Sequence, residues 1–134
     1  MPDDVLLNKV AIIRRCLARI DEEYQGRPDR LEVLVVQDSV VLNLQRACEA
    51  AIDLAMHAVA TGGLGLPQDA RDAFTLLERA GRIDAALRAR MQAMVGFRNL
   101  AVHEYQKLQL PIVLAILDRH LADFVTFADR MLAG

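Results

Sequence analysis

The residues most able to do chemistry lie together in the last third of the chain: Arg98-Asn99-Leu100-Ala101-Val102-His103-Glu104-Tyr105. Of the three histidines, His57, His103 and His120, only His103 sits within a cluster of polar groups. A neutral imidazole takes a proton from a hydroxyl near neutral pH, and a guanidinium that never loses its charge stabilises negative charge gathering on phosphate oxygens. That pair suffices for cleavage of RNA without a metal. Attack by the ribose 2′-oxygen would leave a 2′,3′-cyclic phosphate and a 5′-hydroxyl. Asn99 can hydrogen-bond the phosphate or orient His103, and Tyr105 offers a further donor or a hydroxyl open to modification. No carboxylate cluster or Cys/His set with metal-ligand spacing accompanies the segment, so neither a metal nor a cofactor is expected.

These side chains need a scaffold, and composition limits what it can be. The 134 residues are 54% hydrophobic but only 4% aromatic, with no Trp, and the apolar residues are dominated by Leu, Ala and Val. Such a chain builds helices rather than a β-sandwich, and it is too apolar to be disordered. Its length fits a single domain, residues 1–134. Asp3 can cap a first helix with apolar positions Leu6, Val10, Ile13, Leu17 and Ile20, ending near Tyr24-Gln25-Gly26. Pro28 is read as a first-turn proline opening a second helix of about 30 residues that stops at Gly62-Gly63. After the break Gly62–Pro67, Asp69 opens a short helix ending at Ala80-Gly81, and Asp84 opens a fourth that carries the segment from Arg98 to Tyr105. Pro111 starts a fifth, continuous to Leu132. The expected fold is all-α: an up-and-down bundle of four main helices plus one short helix.

On that fourth helix Arg98, Val102 and Tyr105 share one side, and Asn99 and His103 stack on an adjoining one. Arg98 and His103 are about 140° apart on an ideal helix. One straight helix therefore does not bring both onto one scissile bond, and the spacing points to a site shared between two chains.

The net charge of −2 gives no global polybasic signal. Charge is uneven, however: residues 1–60 are net acidic, whereas Arg71, Arg79, Arg82, Arg88, Arg90 and Arg98 outnumber Asp72, Glu78 and Asp84. That stretch is a solvated face or a guide for RNA phosphates toward the motif. Cys16 and Cys48 fall at apolar helical positions and are expected to be small buried residues rather than a disulfide or metal pair. Asp53 and His57, one turn apart, are expected to form a local surface pair rather than a metal or active-site element. His120 is expected at the surface, and Met91 and Met94 in the core or along a dimer seam. No apolar run is long enough to span a membrane and the start lacks a leader pattern, so a cytoplasmic protein is expected.

The run Met94-Val95-Gly96-Phe97-Arg98-Asn99-Leu100-Ala101-Val102-His103-Glu104-Tyr105 resembles the Arg-x4-His-x-Tyr motif of HEPN domains, in particular the HepT-like ribonuclease toxins. The resemblance extends to Asn43–His57, the Gly62–Pro67 break and Phe74–Glu78. It implies a homodimeric toxin with motif helices face to face, cutting RNA without metal through Arg98 and His103, with Asn99 in support. It also implies an MntA-like nucleotidyltransferase antitoxin that silences the toxin by adding AMP to Tyr105. The rival expectation is a non-catalytic HEPN subunit that helps a nucleotidyltransferase hold its substrate.

Overall fold

A computed structural model describes residues 3–134, which form six α-helices and two 3-10 turns, with no strand among the described residues. Helix α1 spans Asp4–Tyr24, α2 Leu34–Gly62, α3 Ala70–Arg79, α4 Ala85–His103, α5 Leu110–Arg119 and α6 Leu121–Ala133. The all-α bundle expected from the periodicity is present.

Local chemistry sets most of the boundaries as the sequence implies. The Asp3, Asp69 and Asp84 carboxylates each accept a backbone N–H of the first turn, from Leu6, Asp72 and Leu87 at 3.1, 2.8 and 2.8 Å. Helix α2 is closed by Gly63, whose φ of 61° is the left-handed conformation that a side chain would disfavour.

Three boundaries differ. Pro28 opens a separate 3-10 turn, Pro28–Glu32, rather than α2. Leu31 is buried and pins that turn, the Gln37 amide donates to the Leu31 carbonyl at 3.2 Å, and Val33 is extended, so α2 begins only at Leu34. The expected fifth helix is two, broken at His120. There the His120 ring Nδ1 lies 3.0 Å from Asp123 Oδ2, and Arg90 of α4 binds the other oxygen of this buried carboxylate at 2.9 Å. Asp123 thus fixes the start of α6 to α4, and the chain bends to meet it. Finally α4 stops at His103, and Tyr105 lies in a second 3-10 turn, Tyr105–Lys107.

Helix α2 is the spine, packing against α1, α3, α4 and α6. The core around it contains Ile13, Ile20, Leu44, Leu54, Leu77, Phe124 and Phe127, each essentially without solvent exposure. Phe74 of α3 meets Phe127 of α6 edge to face, with ring centroids 5.4 Å apart at 63°. Met91 and Met94 are buried within this one copy, so they are core residues rather than an open seam. No helix of the described residues is long and apolar enough to cross a membrane.

Candidate functional site

The C-terminal half of α4 carries the polar groups singled out above. Its apolar side is anchored by Met91, Met94, Val95, Phe97 and Ala101, all buried, which fixes the rotation of the helix and turns Arg98 and Asn99 to its boundary with solvent. Arg98 is half-buried, and its Nε donates to Asn99 Oδ1 at 2.9 Å. Among the described residues it makes no ion pair, so neither Glu104 nor an acid of α2 neutralises it. Arg98 stands near the buried thiol of Cys48 on α2. Burial pushes that thiol well above its ordinary pKa, and the Arg98 charge is the chief opposing influence. A half-buried guanidinium with no carboxylate partner, steered by a neighbouring amide, is poised to receive an anion from outside.

His103 is the last residue of α4 and is exposed. Since α4 runs unbroken from Ala85 to His103, Arg98 and His103 keep their offset of about 140° around the axis and about 7.5 Å along it. Arg98 and Asn99 are hydrogen-bonded to each other; His103 lies one turn beyond Asn99 on the same side of the helix and is offset from Arg98.

Tyr105 leaves the helix, so it does not continue the side shared by Arg98 and Val102 as a straight helix would require. Its hydroxyl donates to Asp38 Oδ1 on α2 at 3.0 Å while 46% of the residue remains exposed. Partial burial, then the bond to Asp38 and its charge, raise the phenol's pKa and keep it protonated. Beside it opens a cleft of about 400 Å³ lined by Asp38, Val41, Leu42, Gln45 and Tyr105. Asp38 and Gln45 were not legible as site residues, for they lie 60 and 53 positions before Arg98; the only signal was an acid two residues after the apolar run Leu34-Val35-Val36.

The remaining polar residues resolve into structure. Asp53 and His57 do not pair with each other: Lys9 donates to Asp53 at 3.1 Å and His57 Nε2 lies 2.6 Å from Asp3, so both tie α2 to α1. Among the described residues no cluster of three His, Cys, Asp or Glu side chains capable of holding a metal comes together. Cys16 and Cys48 are free and buried. In the arginine-rich stretch, Arg88 pairs with Glu78 at 2.7 Å and Arg90 with Asp123 at 2.9 Å. Two of the six arginines of that stretch thus have carboxylate partners, and no ion pair is formed by Arg71, Arg79, Arg82 or Arg98 among the described residues.

Comparison with known proteins adds to this geometry. The family described as Ribonuclease HepT-like matches residues 13–131. The mRNA nuclease HepT of Shewanella oneidensis is 46% identical over 127 residues, covering 95% of this chain and 96% of that one. Among solved structures, the tri-AMPylated HEPN toxin of Shewanella oneidensis in complex with MNT antitoxin superposes with a TM-score of 0.93 at 45% identity, over 99% of this chain and 100% of that chain. A toxin–antitoxin structure with AMP-PNP gives the same TM-score at 44% identity, over 98% and 100% of the two chains. By sequence over nearly its full length, and by a fold that superposes on HEPN toxins, the chain belongs to the HepT-like ribonuclease family.

Proposed function

We propose that this protein is the toxin of a toxin–antitoxin pair in the cytoplasm, a metal-independent endoribonuclease whose site is completed where two copies meet. The observation that carries the reading is the half-buried Arg98, held by Asn99 and unpaired with any carboxylate among the described residues, on the same helix as an exposed His103. In the reaction, a 2′-hydroxyl gives its proton to one imidazole as its oxygen bonds to phosphorus. The bond from phosphorus to the 5′-oxygen breaks, and that oxygen leaves with a proton from an imidazolium, His103 of the second copy. Arg98 holds the charge that collects on the non-bridging oxygens. The offset of Arg98 from His103 along one continuous helix is why two copies are needed. Exposed Leu34, Val35 and Leu42 on the α2 face that bears Asp38, together with exposed Val102, supply an apolar surface for a second copy to cover.

Tyr105 is the point of control. A partly exposed hydroxyl beside a cleft of about 400 Å³ is accessible to a nucleotidyltransferase antitoxin, and AMP added there places a bulky anion beside the motif. The tri-AMPylated Shewanella oneidensis toxin bound to its MNT antitoxin supports this control in a relative.

The test is RNA cleavage by purified protein in the presence of a chelator. The parent cuts; Arg98→Ala and His103→Ala fall by about a hundredfold or more with unchanged circular dichroism. Retained cleavage in either variant overturns the reading, as does dependence on added metal. A non-catalytic subunit would behave alike as parent and variant. Mass spectrometry after co-expression with the partner should find adenylate on Tyr105, and a Tyr105→Phe protein that is still fully neutralised removes that mode of control.

A further inference from the structure

A groove of about 550 Å³ runs between α1 and α2. Four cations line it: Lys9, Arg15 and Arg19 from α1 and Arg46 from α2. Lys9 is bound to Asp53 at 3.1 Å, and Arg19 is drawn to Glu22 and Glu23 of its own helix at 3.0 and 3.5 Å. Arg15 and Arg46 are different. They approach one another from facing helices over the buried Cys16, whose thiol feels both charges, and neither has an ion-pair partner among the described residues. Glu49 also lines the groove, and its carboxylate accepts from the Gln45 amide at 2.9 Å rather than from either arginine. Two guanidiniums without an ion-pair partner, facing one concavity, favour an anion seated between them, and their planar forks fit phosphate oxygens.

Gln45 lines the cleft beside Tyr105 and its chain neighbour Arg46 lines the groove, so the two concavities flank neighbouring strips of the α2 surface. Along α1 the lining extends from Lys9 to Arg19, about 15 Å of helix, enough for more than one phosphate. With only Ile12, Cys16 and Ala50 as its apolar lining and no aromatic ring in it, the groove can follow a backbone but not read bases.

We propose that the α1–α2 groove is a second binding site for the RNA backbone, in which Arg15 and Arg46 hold phosphates of the strand being cut, outside the cleavage site. This deepens the ribonuclease reading above and rests on it for the identity of the polyanion.

The experiment measures binding of a fluorescent single-stranded 2′-O-methyl oligoribonucleotide, which lacks the attacking hydroxyl, across a range of salt. Both arginines are exposed, so an Arg15→Gln/Arg46→Gln double variant leaves the core intact. It is expected to bind about tenfold more weakly, with the slope of log affinity against log salt shallower by about 1.4 for two lost phosphate contacts on a single strand. Arg15→Lys/Arg46→Lys is expected to keep most of the affinity. Cleavage of long RNA falls in the Gln variant while cleavage of a dinucleotide, too short to reach the groove, stays at the parent's rate. A double variant that binds with the parent's affinity and salt slope overturns the proposal. So does one that binds RNA normally but loses the co-expressed nucleotidyltransferase, which would make the groove a protein-docking surface. The binding readout needs no catalysis, so a parent that cuts no RNA would sink the ribonuclease reading while leaving the groove to be judged by affinity alone.

Discussion

The hydroxyl of Tyr105 donates to the carboxylate of Asp38 at 3.0 Å, tying the turn that follows the motif helix to the first turns of α2. Burial and this carboxylate both hold the phenol protonated at neutral pH. The hydroxyl is thus a neutral group with a proton acceptor already in place. Removing Asp38 removes two of the three influences that raise its pKa. In a Tyr24→Phe background, which leaves Tyr105 as the one titrating tyrosine, Asp38→Ala should bring the phenolate ultraviolet transition to lower pH. An unmoved transition would show that the bond does not persist in solution.

Asp3 is expected to make stability acid-sensitive. Its carboxylate caps α1 through the Leu6 N–H and accepts from His57 at 2.6 Å, and these bonds, the backbone one first, hold its pKa below the usual aspartate value. A carboxylate whose pKa is depressed on folding adds stability above the unfolded value, and that contribution fades as pH falls through the folded value. The parent should therefore melt above Asp3→Asn at neutral pH, and the two should converge below about pH 4. A gap that persists into acid would assign the difference to something other than this titration.

Phe127 is the best single probe of the core. It has no exposed surface and closes the edge-to-face pair with Phe74, which joins α6 to α3. Phe127→Ala should cost about 3–5 kcal/mol, since the rigid rings and helices around it cannot close the cavity. The measurement is urea unfolding: a lower midpoint at unchanged slope reports lost stability, whereas a loss below 1 kcal/mol would mean that the site collapses freely.

How much of this was legible beforehand depended on the range of the interaction. The caps at Asp3, Asp69 and Asp84 and the glycine stop of α2 depend on residues within a turn of one another, so reading along the chain found them. The break at His120 did not show, because the buried Asp123 is fixed by Arg90, 33 positions earlier, and the apolar periodicity passes through the bend undisturbed. Charge counted along the chain did not locate the groove for the same reason. The net-basic stretch from Arg71 to Arg98 pairs Arg88 with Glu78 and Arg90 with Asp123, while the net-acidic first 60 residues bring Arg15 and Arg46 into one groove. Arg98, Asn99, His103 and Tyr105 stood out by their spacing alone; Asp38, which holds Tyr105, belongs to another helix and required the fold.

Gly96 gives a prediction whose sign comes from the competition between local preference and packing. It lies inside α4, two residues before Arg98, where glycine disfavours helix by about 1 kcal/mol relative to alanine. A Cβ there would meet only Arg71 Nη2, at 3.2 Å. That atom is the far end of a flexible side chain and can move by a few tenths of an ångström at little cost. Gly96→Ala should therefore raise stability by about 0.5–1 kcal/mol, read as a higher urea midpoint. Destabilisation would show that Arg71 is held more tightly than its lack of an ion-pair partner among the described residues implies, and that α4 needs the close approach glycine allows just before Arg98.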